Sequence, residues 1–148
     1  MEHNRLIWLE SPRQRLKEWR TFRTELATMD IPVALSLVAK WWSTVPIGAR
    51  SIDPYDHTAW PTAWELLYEN SFCEHSRGVG IYYTLHYAGV ENLEVQLVSD
   101  DVYNDLLTIV LVDNTHVLNY THGTVEHLKD IQSNFRVLEK FPSKMLTK

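Results

Sequence analysis

The hydrophobic pattern changes its period near Gly89, and this change restricts the fold more than any other feature of the sequence. Before Gly89 the apolar residues recur at the spacing of helices, and after it they alternate at the spacing of strands. Helices first and strands afterwards is the order of an α+β domain. We therefore predict the α+β fold class, with N-terminal helices followed by an antiparallel sheet of three to four strands.

Two helices are predicted near the N-terminus. Ser11 and Pro12 form the start of a capping pattern, and the apolar residues that follow recur at helical spacing over 12–28. Asp30 and Pro32 restart that spacing in a second, strongly apolar helix. This helix ends at two adjacent tryptophans, and we expect at least one of them to lie in the core.

Two further helices are predicted after an irregular, proline-containing connector at 49–61. Thr62 begins a capping box and with it a short helix. A similar pattern at 71–74 begins a longer helix, which Gly89 ends in a left-handed C-cap position. Cys73, the only cysteine of the chain, is thereby predicted in the first turn of that longer helix.

Three apolar segments after Gly89 are separated by the turn-forming stretches Ser-Asp-Asp and Asp-Asn. They are LEVQLV, DLLTIVLVD and HVLNY. Their alternation and the turns between them predict an antiparallel meander of three strands. Residues 124–131 are predicted to add a short helix, and residues 135–141 a fourth strand at the edge of the sheet.

The whole chain, 1–148, is predicted to be a single domain, because its length suits one core and its composition does not change along the chain. Its parts would be a helical pair at 1–48, the connector at 49–61 and a helix-and-sheet core at 62–148. A single cysteine cannot form an internal disulfide. Charged residues interrupt the region where a signal peptide would need an apolar run, so synthesis in the cytoplasm is expected.

Charge and hydropathy argue against two kinds of partner. The net charge is −5, whereas nucleic-acid binding requires clustered cations. The longest apolar stretch is interrupted by Lys40 and is too short to cross a bilayer. We therefore expect other proteins as partners, rather than nucleic acid or a membrane.

Five cations lie within eleven residues of the first predicted helix, and they leave two interpretations open. A helix of this kind usually exposes such a face to solvent. The alternative is docking to an acidic partner, for which Arg13, Lys17 and Arg20 are the binding candidates. In both interpretations the cationic side chains, including Arg15 and Arg23, point outward.

Cys73 is the candidate nucleophile. A thiol in the first turn of a helix lies near the positive end of the helix dipole and near unpaired amides, which favour the thiolate. A nucleophile also needs a base, and His116 and His122 flank the third predicted strand, with Asn119 or Asp113 available to orient either imidazole. The interpretation that we favour is a small buried thiol, since free cysteine is among the most buried residue types.

Neither a metal nor another cofactor is expected. Cys73 and His75 could contribute two ligands from one helical turn, but the chain has no second cysteine. Its other histidines have no recognised ligand spacing. The glycine motifs that bind phosphates or dinucleotides are also missing from the sequence.

Residues 62–122 resemble the transglutaminase-like core of the papain-like superfamily. The similarity lies in the Pro-Thr-Ala-Trp-Glu-Leu-Leu stretch before Cys73, the cysteine at a helix start, the glycine that ends that helix and the antiparallel strands after it. The resemblance implies a histidine at the start of one strand and an aspartate near the end of the next. At those positions this chain has Asn104 or Asp105, and Asn119. The resemblance therefore implies the fold without its chemistry.

Other stretches resemble proteins of T4-like tailed phages, namely RLKEWRTFR, the pair Trp41-Trp42 and WPTAWELLYENSFC. This resemblance implies a phage-encoded structural or interaction protein, made in the host cytoplasm, with the virion as a candidate location and other particle proteins as partners. We therefore predict an interaction protein without retained catalysis. The alternative is a cysteine hydrolase or acyltransferase that uses Cys73 with His116 or His122.

Aromatic residues recur every four positions from Trp60 through Trp64 and Tyr68 to Phe72. Such a stripe usually belongs to the core. The alternative is a groove for carbohydrate or peptide, which would require several rings to be exposed together.

Overall fold

The computed structural model describes residues 5–146, and its helices precede most of its sheet. The helices, in chain order, are α1 (Pro12–Leu26), α2 (Ile31–Trp42), α3 (Ala63–Glu69), α4 (Glu74–Tyr87), α5 (Leu128–Ile131) and α6 (Ser143–Leu146). Short 3-10 turns cover Arg5–Leu9, His57–Ala59 and Gln132–Asn134. None of the helices in this range is long and apolar enough to cross a membrane.

Five strands form one antiparallel sheet with the order β4-β3-β2-β1-β5. The strands are β1 (Leu93–Asp100), β2 (Asp105–Val112), β3 (His116–Leu118), β4 (Val125–His127) and β5 (Phe135–Pro142). The α+β prediction is confirmed, with one strand more than expected. The last strand does lie at an edge of the sheet, next to β1.

The segment at 124–131 differs from its prediction because it is only partly helical. β4 pairs with β3, and α5 adds a single turn after it. Pairing with the open edge of β3 satisfies backbone groups that a short isolated helix would leave without partners. A neighbouring strand thus overrides the local helical pattern.

Helices α1 to α4 and one face of the sheet share a single hydrophobic core. Trp19 and Trp42 are among its largest fully buried side chains. Because strand side chains alternate between the two faces, a second and smaller cluster lies on the opposite face, and it includes Val98, Ile109 and Val117.

A single hydroxyl group connects three of the helices. Trp19 of α1 and Trp42 of α2 donate their indole N–H groups to Thr84 Oγ1 of α4 over 2.9 and 2.8 Å. The same hydroxyl donates to Gly80 O over 2.8 Å. Gly80 is needed here because a Cβ atom at its position would lie 2.3 Å from the Trp42 ring. Trp41 is buried as well, so the prediction of a core tryptophan at the end of α2 is confirmed.

Local capping interactions begin or end three helices where the sequence predicts them. Ser11 accepts the N–H of Gln14 over 3.2 Å and caps α1. Thr62 and Glu65 form the reciprocal capping box of α3, with bonds of 2.9 and 3.2 Å. Gly89 follows α4 with a φ of 92°, the left-handed conformation that glycine adopts readily.

Helix α4 begins two residues later than its predicted capping pattern. Its N-cap is Cys73, whereas the pattern assigned that position to Ser71. The preceding Phe72 forms a parallel bridge with Ile47, and Gly48 N donates to Phe72 O over 2.7 Å. A contact between segments distant in sequence therefore determines where α4 begins.

Arg15 contradicts the prediction that all the cations of α1 point outward. It is 5% exposed, and its guanidinium donates to Leu67 O over 2.7 Å, to Tyr68 O over 2.8 Å and to Glu10 O. The last carbonyls of a helix have no partners within the helix. Arg15 therefore satisfies carbonyls in the last turn of α3 and joins α1 to it.

Candidate functional site

Cys73 is the N-cap of α4, and its sulfur faces the unpaired amides of the first helical turn. The backbone N–H of Ser76 donates to Sγ, Ser76 Oγ lies 3.6 Å from it, and the backbone N–H groups of Ser51 and His75 lie near enough to favour the thiolate. Burial opposes ionisation of the thiol, but these hydrogen bonds outweigh it and hold the pKa of Cys73 below its ordinary value. The thiol therefore has the electrostatic setting of a helix start that favours thiolate.

The same thiol is covered by the connector between α2 and α3. Cys73 is 2% exposed. The bridge between Ile47 and Phe72 joins the start of this segment to the residue before Cys73, and the backbone N–H of Ser51 approaches the sulfur. A reagent or substrate would reach Sγ only after this segment moved.

His75, two residues further along, is also part of the interior. It is 1% exposed, and its Nδ1 lies 2.7 Å from Thr108 Oγ1. Its ring packs against Trp60 at 4.7 Å between centroids, and its Nε2 has no hydrogen-bond partner within residues 5–146. Burial, assisted by Arg50, lowers the pKa of His75 to about 4. The imidazole is therefore neutral and weakly basic at neutral pH.

Glu74 turns its carboxylate inward onto the sheet. Its Oε2 accepts the N–H of Thr108 over 2.9 Å and the amide of Asn119 over 3.2 Å. Burial raises the pKa of Glu74 to about 7, although the Thr108 hydrogen bond and the charges of Arg77 and Arg50 act in the opposite direction. The carboxyl group therefore titrates at a much higher pH than an ordinary glutamate.

Asn119 completes a closed hydrogen-bond network. Its amide also donates to Thr108 O over 2.8 Å, and its Oδ1 accepts the Nε–H of Arg77 over 2.7 Å. The residue is 3% exposed. Glu74, Thr108, Asn119 and Arg77 therefore hold one another in place beneath the start of α4.

Neither of the two predicted histidine bases forms a hydrogen bond with Cys73 within residues 5–146. His116 begins β3 opposite Val112, four residues along β2 from Thr108, which is roughly 13 Å at the rise of a strand. His122 is exposed in the loop after β3, whereas Cys73 is buried. Asn119 does lie beneath the start of α4, where it donates to Glu74 O over 3.2 Å.

The cations proposed for docking lie on α1, away from this network. Arg13, Lys17 and Arg20 are all exposed there. Their side chains have the accessibility that a binding role requires, and no bound partner is needed to explain their placement.

Sequence reasoning missed Glu74, Arg77 and Thr108, and it considered His75 only as a metal ligand. The strand position that contacts the first turn of α4 is Thr108, three residues beyond Asp105. A signal for it existed, because the alternation of β2 places Thr108 on the same face as Val110, but using it requires knowing which face the helices cover. Within residues 5–146, His, Cys, Asp and Glu form no group of three or more that could hold a metal ion.

No family model and no curated protein matches the sequence. Solved structures of LapG from Legionella pneumophila are similar in fold. The calcium-bound form is 13% identical with a TM-score of 0.73, over 94% of this chain and 83% of that chain. Another LapG structure is 15% identical with a TM-score of 0.71, over 88% and 74%. The EGTA-treated form is 14% identical with a TM-score of 0.72, over 89% and 74%.

At identities this low, the structural similarity establishes the fold alone. The chain has the transglutaminase-like fold of LapG, a mixed arrangement of helices and a five-stranded antiparallel sheet. The resemblance of residues 62–122 is therefore confirmed at the level of fold, while the resemblance to phage proteins stays a prediction.

Proposed function

We propose that this transglutaminase-like chain is an interaction protein that does not retain the catalysis of the enzymes sharing its fold. One observation carries the proposal. The strand positions beneath the start of α4 hold Thr108 and Asn119, which bond to each other and to Glu74. Neither side chain can accept a proton from a thiol, as a general base must. Oε2 of the Glu74 carboxylate is already occupied by the N–H of Thr108 and the amide of Asn119.

The neighbouring imidazole does not replace the missing base. His75 Nδ1 is engaged by Thr108, and a pKa of about 4 makes the ring a weak base at neutral pH. The thiol itself is 2% exposed beneath the connector. Nucleophilic catalysis needs an open cleft and a positioned base together. Here the thiol is buried, and the nearby imidazole is engaged elsewhere.

Alkylation of Cys73 by iodoacetamide tests this proposal. We expect the native chain to react at least about 100-fold more slowly than the same chain in denaturant, because reaction must wait for local opening. Cys73→Ser is the control for labelling elsewhere. A native rate at neutral pH equal to or above that of the unfolded chain would overturn the proposal, since it would identify an accessible and activated thiol.

The alternative is a cysteine hydrolase or acyltransferase that uses Cys73 with His116 or His122, and with Asn119 as the orienting group. The lowered pKa of Cys73 favours it. Fast alkylation of the native chain that His116→Ala or His122→Ala abolishes would support this alternative. The same two variants should leave a slow, opening-limited rate unchanged.

The predicted resemblance to T4-like phage proteins leads us to propose other proteins of a phage particle as the partners. Mass spectrometry of purified virions, beside lysates of infected cells, tests this part of the proposal. Enrichment of the chain in virions supports a structural role in the particle. Its recovery from the lysate alone would contradict a role in the particle.

A further inference from the structure

The aromatic stripe divides into a buried half and an exposed half. Trp60 and Phe72 are in the core, whereas Trp64 is 47% exposed and Tyr68 63% exposed on α3. The exposed pair lines a groove together with Leu16 of α1. We use the term α1/α3 surface for this groove and the charges beside it, namely Arg13, Leu16, Lys17, Arg20, Trp64, Glu65, Tyr68 and Glu69.

On the α1 side, the groove is bordered by cations. Leu16 lines it, Arg13 lies one turn before Leu16 and Arg20 one turn after. Residues three and four apart share a face of a helix. Arg13 and Arg20 therefore follow the same edge of α1, with Lys17 next to them, and all three are exposed.

On the α3 side, the groove is bordered by carboxylates. Helix α3 buries Ala63, Leu66 and Leu67. Since a helix turns 100° per residue, Trp64 and Tyr68 come next to the buried face, and Glu65 and Glu69 come beyond them. Hydrogen bonds from Thr62 lower the pKa of Glu65, so this carboxylate is charged at neutral pH.

The α1/α3 surface thus has three parallel bands, cationic on α1, apolar in the middle and anionic on α3. Such a surface is complementary to itself. Consider a two-fold axis that runs along the apolar band, in the plane of the interface. It places the cations of one copy opposite the carboxylates of the other, and it places the aromatic rings on each other. We propose that this surface pairs two copies of the chain in an isologous dimer.

A second copy fits the α1/α3 surface better than a uniformly acidic protein does. An acidic partner would be attracted by Arg13 and Arg20 but would meet Glu65 and Glu69 as like charges, which penalises association. Exposed tryptophan and tyrosine side chains are also the residues enriched at the centres of protein interfaces. The pairing goes beyond the proposed function, because an enzyme and a binding protein could form it equally well.

Sedimentation equilibrium of the full chain and of two charge-reversed variants tests the dimer. One variant is Arg13→Glu with Lys17→Glu and Arg20→Glu, and the other is Glu65→Lys with Glu69→Lys. We expect a wild-type dimer in the micromolar range that weakens with salt. Each variant alone should dissociate at least about tenfold more readily, because like charges then face each other. An equimolar mixture of the two should recover the dimer, since opposite charges face again in both contacts.

Two controls keep the test sharp. Lys129→Glu with Arg136→Glu and Lys140→Glu reverses as many cations away from this surface and should leave the dimer intact. Glu69→Lys alone preserves the capping box of α3 and should still weaken association. A wild-type chain that stays monomeric overturns the proposal, and so does a mixture of folded variants that fails to associate. In those cases a salt-sensitive complex with a different, acidic protein would be the explanation for the cations.

Discussion

The start of α4 and the α1/α3 surface differ in solvent exposure: the first buries its polar side chains, and the second exposes its charged and aromatic ones. At the start of α4, Cys73 and His75 are 2% and 1% exposed, with Ser76 Oγ 3.6 Å from the sulfur and Thr108 Oγ1 2.7 Å from Nδ1 of the imidazole. On the α1/α3 surface, Trp64 and Tyr68 are 47% and 63% exposed, in contact with solvent. The candidate nucleophile and its neighbours are interior here, and the exposed aromatic and charged groups of the α1/α3 surface lie elsewhere.

The difference has a plain physical consequence. Buried polar groups are costly unless they are hydrogen-bonded, so the network around Glu74 and Asn119 is restricted to one arrangement. Exposed aromatic rings cost little in the folded monomer and become favourable when a partner covers them. Changes at the start of α4 should therefore alter stability, and changes on the α1/α3 surface should alter association.

The largest expected effect is that of Trp42→Ala on the interior side of the comparison. Trp42 is 1% exposed, and its indole N–H bonds to Thr84. We expect a loss of roughly 3–5 kcal/mol in the free energy of unfolding, as for other large-to-small core substitutions. Urea denaturation measures it. A loss below about 1 kcal/mol would show that α2 and α4 repack easily, which would weaken the contrast with the surface.

The next effect concerns the pH dependence of stability. Glu74 has a raised pKa, about 7 against an ordinary 4.5, so its contribution to stability is present below pH 4.5 and is lost as the pH rises through 7. His75 has a lowered pKa, about 4 against 6.5, so its contribution is present above pH 6.5 and is lost as the pH falls through 4. Between pH 4.5 and 6.5, a rise in pH therefore reduces the contribution of Glu74 and increases that of His75.

Glu74→Gln should reveal the contribution of His75 to the pH dependence of stability, because it removes the opposing contribution of Glu74. Without the carboxyl group, the free energy of unfolding should rise with pH between 4 and 6.5, by an amount on the order of 3 kcal/mol. His75→Gln is the matched control and should show the reverse trend, with stability falling as the pH approaches 7. Urea denaturation across this pH range checks both. Parallel pH curves for the wild type and the two variants would contradict the buried, shifted pair.

The smallest expected effect on stability is that of Trp64→Ala, the surface counterpart of Trp42→Ala. Because about half of the side chain is exposed and the rest packs on Trp19 and Tyr87, we expect a loss of about 1–2 kcal/mol in the free energy of unfolding, well below that for Trp42→Ala. The same substitution should weaken self-association, as measured by sedimentation. A loss of stability as large as that for Trp42 would mean that the ring serves the core, and the comparison between the two regions would fail.

The sequence predicts those parts of the fold that depend on nearby residues. The change of period at Gly89, the Thr62 capping box and the Ser11 cap are all local, and each is confirmed. The start of α4 was missed because the bridge between Ile47 and Phe72, distant in sequence, sets it.

The candidate site was predictable only in part for the same reason. Cys73 stands out in the sequence as a lone cysteine near a helix start. Its surroundings depend on the register of β2, which brings Thr108 rather than Asp105 to the first turn of α4. Arg15 was misjudged because the carbonyls that it satisfies belong to α3, more than fifty residues away.

The hydroxyl of Thr84 has a consequence for the relative orientation of the helices. A hydroxyl has one hydrogen and two lone pairs, and here all three are used, by Gly80 O and by the indoles of Trp19 and Trp42. Apolar contact is non-directional, so it would permit α1 and α2 to rotate about their axes by small steps. Hydrogen bonds are directional, and this oxygen atom has no further donor or acceptor position. The two indole bonds therefore fix the rotation of α1 and α2 about their own axes relative to α4.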